Sequence, residues 1–188
     1  MFMSSLQQIV RRDGPLDYKR AARYVEEVAR QLADVHRRGQ LHRDIRPGRV
    51  FLDEADTARL ELAVWNLEDD DYEAMGVDAE IAEEIADYVA PERALASMTA
   101  DERADIYSLG CVFYFLLVGR APFSTGSIAE RLLGHQIGTP DAICELRPSV
   151  PKRLAQIGEK MMAKQPRDRY QSAVEVLDAL ASWRNSNG

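Results

Sequence analysis

The chain has 188 residues, 46% of them hydrophobic, and its 24 basic against 31 acidic side chains give a net charge of −7. That length suits one domain, or one large lobe of a two-lobed protein, with enough apolar content for a buried core. The negative charge argues against nucleic acid or an anionic membrane as a partner. Cys111 and Cys144 sit in no metal-type or redox-type pair, so both are read as reduced core residues of a cytoplasmic protein. The opening MFMSSLQQIVRRDG has no basic segment leading into a long apolar stretch, so no signal peptide is expected. The apolar run 111–118 is far too short to span a bilayer.

In chain order, a short helix is expected from Ser4 or Ser5 to Arg12, followed by a Gly14-Pro15 turn. Asp17 is placed to cap a long helix reaching Arg38, with Gly39 ending it. Ala21, Val25, Val28, Leu32 and Val35 recur along it at helical spacing and form one apolar face. A polar loop, LHRDIRPGR, leads into two short strand-like runs, 50–52 and 59–64, joined by the turn DEADTA. Residues 68–87 are acidic and weakly periodic, and read as a long loop with room for a helical turn. The stretch 103–118 is apolar nearly all round, the pattern of a central buried helix, and Gly119 ends it. Three further helices are expected, near 127–136, 151–163 and 172–183, the last opened by a capping box of Ser172 and Glu175. The chain therefore reads as mainly α with a few short β-strands.

At His42-Arg43-Asp44 the segment HRDIRPGRVFLDE resembles the catalytic loop of protein kinases. Supporting motifs follow in kinase order. Ala90-Pro91-Glu92 is similar to the motif that closes the activation segment, and DIYSLGCVFYFLLVGRAPF, from Asp105, resembles the central helix and its exit. KQPRDRY, ending in Arg169 and Tyr170, resembles the segment whose Arg pairs with the Glu of that closing motif. The resemblance covers essentially the whole chain and is closest in style to bacterial Ser/Thr kinases. It implies a kinase-like C-terminal lobe with the N-lobe absent, over residues 1–188: a catalytic-loop region at 41–53, a degenerate DFG motif and activation segment at 61–92, the central helix at 103–118, and C-terminal helices over 127–183. It also implies that Asp105 accepts hydrogen bonds from the catalytic-loop backbone, that Glu92 and Arg169 form a mostly buried ion pair, and that His42 packs beneath the site.

Phosphoryl transfer consists mostly of positioning and charge neutralisation, and its Mg²⁺ needs hard oxygen ligands. Aligned without a gap, the family pattern falls on Glu61-Leu62-Ala63-Val64-Trp65-Asn66-Leu67, so the metal-binding Asp is Val64, the Phe is Trp65 and the Gly is Asn66. Asn tolerates a left-handed backbone, so the loop's shape can survive without its ligand. The catalytic-loop Asn falls at Arg49, whose charge would repel Mg²⁺, and the Lys at Arg46, which keeps the charge without the compact ammonium. Asp44, the presumed base, is intact. The substrate-loop Thr falls at Ile85. A shifted alignment would instead bring Glu61 or one of Asp69, Asp70 and Asp71 towards the metal. No glycine-rich loop, strand Lys or helix Glu has a counterpart here, so that region is absent from the protein, supplied by another chain, or outside this sequence.

Residues 63–96 contain no Ser or Thr, and Tyr72 and Tyr88 are their only hydroxyl side chains, so Ser/Thr phosphorylation cannot switch this loop. The run Glu68-Asp69-Asp70-Asp71 either meets Arg43 as a phosphate mimic or is a solvated acidic loop. Two functions are consistent with these residues: a pseudokinase-type binding, scaffold or regulatory signalling module, and the C-lobe of an ATP-dependent Ser/Thr kinase. The first expects no cofactor, with Asp44 vestigial; only the second calls for ATP and Mg²⁺. Phe2, Met3, Phe51, Val64 and Trp65 are expected on the face an N-lobe would cover, leaving an apolar patch for a protein partner or self-association.

Overall fold

A computed structural model describes residues 4–61, 79–94 and 100–186. The first helix, α1 (Leu6–Asp13), starts where the Ser5 side chain accepts a hydrogen bond from the Gln8 amide and the Gln8 side chain accepts one from the Ser5 amide. Next, α2 (Tyr18–Arg37) is capped by Asp17 and buries Ala21, Val25, Val28 and Leu32, the expected stripe. A 3-10 turn at Pro47–Arg49 leads into β1 (Val50–Leu52), which pairs antiparallel with β2 (Ala58–Leu60). The second strand thus starts one residue earlier than expected, and Glu61 already lies outside it. The turn between the strands is held by Asp53, whose carboxylate accepts from the amides of Ala55 and Thr57.

The largest departure from expectation lies further on. Residues 79–86 form a helix of eight residues, α3 (Ala79–Ala86), where the sequence predicts a long loop with room for a helical turn. Its sequence AEIAEEIA consists largely of strong helix formers, so propensity favours the helix once neighbours give it a surface to lie on. The short α4 (Pro91–Ala94) follows. Then α5 (Glu102–Val118) is buried from Ala104 to Leu117 and ends on Gly119 in a left-handed conformation.

The remaining helices are α6 (Ile128–Ile137), which packs on α3 and α4, the short α7 (Ile143–Leu146) and α8 (Lys152–Met161), which pack on α5, and α9 (Ala173–Ser186). The sequence reading had missed α7. At the head of α9 only half of the expected capping box forms. Ser172 accepts from the Glu175 amide, but the Glu175 side chain caps the Gln171 amide instead. The core is the packing of α2 and α8 on α5 and of α9 across α2 and α8. Gly110 allows the closest approach, since a Cβ there would lie 2.8 Å from side-chain atoms of Met161 and Met162. Cys111 is buried in this core and Cys144 half-buried, both as free thiols. Among the described residues no helix is long and apolar enough to cross a membrane.

Candidate functional site

The catalytic-like loop is anchored from below. Asp105, in the first turn of α5 and 2% exposed, accepts hydrogen bonds from the amides of His42 (2.8 Å) and Arg43 (2.9 Å) and from His36 Nε2 (2.8 Å). Burial pushes its carboxyl up, but the bonds from His36 and the two amides outweigh it and hold the group below the usual range. His36, in the last turn of α2, is a partner that the sequence reading missed.

His42 lies buried beneath the loop. Its Nε2 is 2.8 Å from the Glu61 carbonyl, which can only accept, so Nε2 carries the proton and Nδ1 accepts from the Asp44 amide at 3.3 Å. The loop turns at Arg43, whose φ of 67° is left-handed, and the Arg93 guanidinium of α4 donates to its carbonyl. A second anchor lies lower still. Arg169 and Glu92 meet in two parallel bonds of 2.6 and 2.8 Å, with the Arg side chain fully buried. The same guanidinium also donates to the carbonyls of Ala163, Arg103 and Lys164 and lies over the Tyr107 ring at 4.8 Å.

Asp44 is closed on both sides. Its Oδ1 accepts from Arg46 Nε at 2.8 Å and its Oδ2 from Arg49 Nε at 2.9 Å. Each arginine then reaches a further carboxylate: Arg46 pairs with Glu84 of α3, and Arg49 Nη1 bonds Glu61 Oε2 at 2.6 Å. The result is one chain of alternating charge, Glu61–Arg49–Asp44–Arg46–Glu84. Burial lowers the Arg49 pKa, but the pairs with Glu61 and Asp44 raise it more, so its charge is reinforced.

Gly48 makes room for this chain. A Cβ there would lie 2.7 Å from Glu84 Oε1 and 3.3 Å from Gln7 Oε1. On its far side α3 is fastened to α6 by Arg131, which bonds Asp87 at 3.2 Å and Glu83 at 3.3 Å.

Residues 1–180 match the family model described as protein kinase domain. The chain belongs to the protein kinase family. It is 32% identical over 180 residues to a probable serine/threonine-protein kinase of Corynebacterium efficiens, covering 93% of this chain and 27% of that protein. It is 30% identical over 184 residues to the probable serine/threonine-protein kinase PknB of Bifidobacterium longum, with coverages of 96% and 26%. To the serine/threonine-protein kinase PknH of Mycobacterium tuberculosis it is 31% identical over 193 residues, with coverages of 95% and 28%. The chain therefore spans about a quarter of the length of these relatives.

Within the kinase frame, the structure brings together His42, Arg43, Asp44, Arg46 and Arg49, with Asp105 beneath them. The Glu92–Arg169 pair stands apart as a lower clamp. Val64, Trp65 and Asn66, the acidic run from Glu68 to Asp71, and Phe2 and Met3 lie outside the described residues. Glu61, one of the residues a shifted alignment would send to the metal, has its Oε2 on Arg49 instead. Ile85, which the ungapped alignment sets at the kinase Thr position, is half-buried on α3. Phe51 is half-buried beside a backbone bridge to Ser5. Among the described residues the exposed large apolar side chains include Ile81 on α3 and Ile128, Leu133 and Ile137 on α6.

Besides His36, two participants in the charge chain and its surroundings escaped the sequence reading, Glu84 and Gly48. The rich Ala and Glu content of 79–86 could have suggested the helix, but no local signal points Glu84 at a residue 38 positions earlier.

Membership of the family implies Mg²⁺-ATP as the ligand of this region. Arg49, which the ungapped alignment sets at the Asn position, has two N–H groups on carboxylates, and Asp44 has a guanidinium on each oxygen. Among the described residues no cluster of three or more His, Cys, Asp or Glu side chains could hold a metal ion.

Proposed function

We propose that this chain is a pseudokinase: a kinase C-lobe that serves as a cytoplasmic binding, scaffold or regulatory signalling module and transfers no phosphate. The observation that carries the reading is the double clamp on Asp44. A general base must face the hydroxyl it deprotonates, and here each carboxylate oxygen faces an arginine. The second support is Arg49, a cation where Mg²⁺ would need an oxygen donor. The partner under this reading is a protein, or a second copy, bound on the face that an N-lobe would cover.

The alternative, a Ser/Thr kinase C-lobe acting with an N-lobe from elsewhere, is favoured by the retained Asp44 and by the names of the relatives. Thermal unfolding with and without Mg-ATP separates the two. A ligand at a hundred times its Kd adds about 2.7 kcal/mol of stability, and no such rise is expected here. Nucleotide without metal is the control, because adenine alone could rest on apolar residues near Phe51. A Mg²⁺-dependent rise with micromolar affinity by calorimetry would overturn the proposal.

A further inference from the structure

Far from the catalytic loop, the crossing of α2 and α9 leaves a cavity of ≈490 Å3, within the size range of small-molecule sites. Its floor is apolar. Ala22 is small where the helices cross, and Leu180 and Trp183 come up from α9. The rings of Tyr18 and Trp183 stand nearly perpendicular, at 78° with centroids 6.3 Å apart. Tyr18 is half-buried and Trp183 6% exposed, so a planar ring seated in that corner rests mainly against Tyr18.

The rim decides the sign of the ligand. Its one acid, Glu26, has both oxygens taken, Oε1 by Arg30 at 3.0 Å and Oε2 by Arg184 at 2.6 Å. A ligand cation would therefore find no open carboxylate. Among the cations, Arg23 is committed to Asp56, and Arg184 to Glu26. Lys19 is exposed and forms no ion pair among the described residues.

We propose that this cavity binds a small aromatic carboxylate, its ring in the Tyr18–Trp183 corner and its carboxylate on Lys19. The site is independent of the catalytic loop, so its test stands apart from that of nucleotide binding.

Calorimetric titration of the full chain with 2-naphthoate is the direct experiment, with 2-naphthylmethylamine as the cationic counterpart. Saturable binding is expected, at least tenfold tighter for the carboxylate, a difference of about 1.4 kcal/mol or more. Lys19→Glu, on an exposed position, is expected to weaken naphthoate by a similar factor while leaving the melting temperature unchanged. Ala22→Leu fills the floor and is expected to abolish binding; should it fail to fold, the Lys19 variant still decides. No saturable heat, equal binding of the amine, or wild-type affinity in Lys19→Glu would each overturn the proposal.

Discussion

The lower clamp and the upper site of this lobe are built from the same materials, arginine and carboxylate, with opposite consequences. Below, Arg169 and Glu92 form a bidentate pair with every other polar contact made by main-chain carbonyls, and nothing in the arrangement faces solvent chemistry. Above, Asp44 stands where the family keeps a reactive carboxylate, yet Arg46 and Arg49 bind it much as Arg169 binds Glu92. The lesson is that a retained motif residue carries no activity by itself. What its oxygens face decides whether it is a base or a structural link.

The largest effect is expected at the lower clamp. Arg169→Ala leaves Glu92 buried and uncompensated, and losing one partner of such a pair costs about 3–5 kcal/mol. Chemical denaturation would measure it, and a loss near zero would break the contrast at its structural end. Asp105→Ala is expected to follow closely, because it strands two amides of the catalytic-like loop and His36 at once.

Asp44→Ala comes next and sharpens the comparison most. With chemistry as the main purpose of Asp44, the motif alone implies a mild effect. With Asp44 as the central link of the charge chain, its removal leaves Arg46 and Arg49 facing each other, and we expect a loss of about 1–3 kcal/mol. A melting temperature equal to that of the wild type would return Asp44 to the role the motif suggests.

Gly48→Ala is expected to cost about 1–2 kcal/mol by overpacking against Glu84. Most of that loss should vanish when Glu84→Ala is made as well, because neighbouring changes couple. Strict additivity in that cycle would show that Glu84 does not lie over Gly48 in solution.

The smallest effect concerns pH at the seam of α3 and α6. His135 is buried against the Tyr107 hydroxyl at 2.8 Å, and its pKa is pushed down to about 4, first by burial and then by Lys164. Its folded value lies below its unfolded one, so the folded state binds fewer protons, and stability is lost as pH falls from about 6.5 towards 4. Burial pushes the Asp87 carboxyl the other way, up to about 6 against the pull of Arg131. Its contribution is present below the usual carboxylate range and fades as pH rises through about 6. The two oppose each other in one window, so the wild type is expected to change little. His135→Gln removes one side, and relative to the wild type it should gain stability between pH 7 and pH 5. A difference in melting temperature that stays constant across that range would contradict this assignment.

Local rules explain most of what could be read in advance. The starts of α1, α2 and α6 follow from Ser5, Asp17 and Ser127, because a capping side chain reaches amides only two or three residues away. The buried α5 was legible because it is apolar on every face, and β1 because Val50–Leu52 lies between turn signals. The Asp105 and Glu92–Arg169 anchors were legible only through their likeness to a family, since their partners are 62 to 77 residues apart.

Neither route reached the clamp on Asp44. Composition and motif together placed Asp44, Arg46 and Arg49 in one loop, which is a matter of sequence neighbourhood. Whether those charges would face solvent, metal or one another depended on α3 folding as a helix and on Gly48 leaving space for Glu84. Both are set by packing between segments that the chain keeps far apart. Ion pairing acts over a few ångströms of space, whatever the separation in sequence, so only the tertiary structure could decide it.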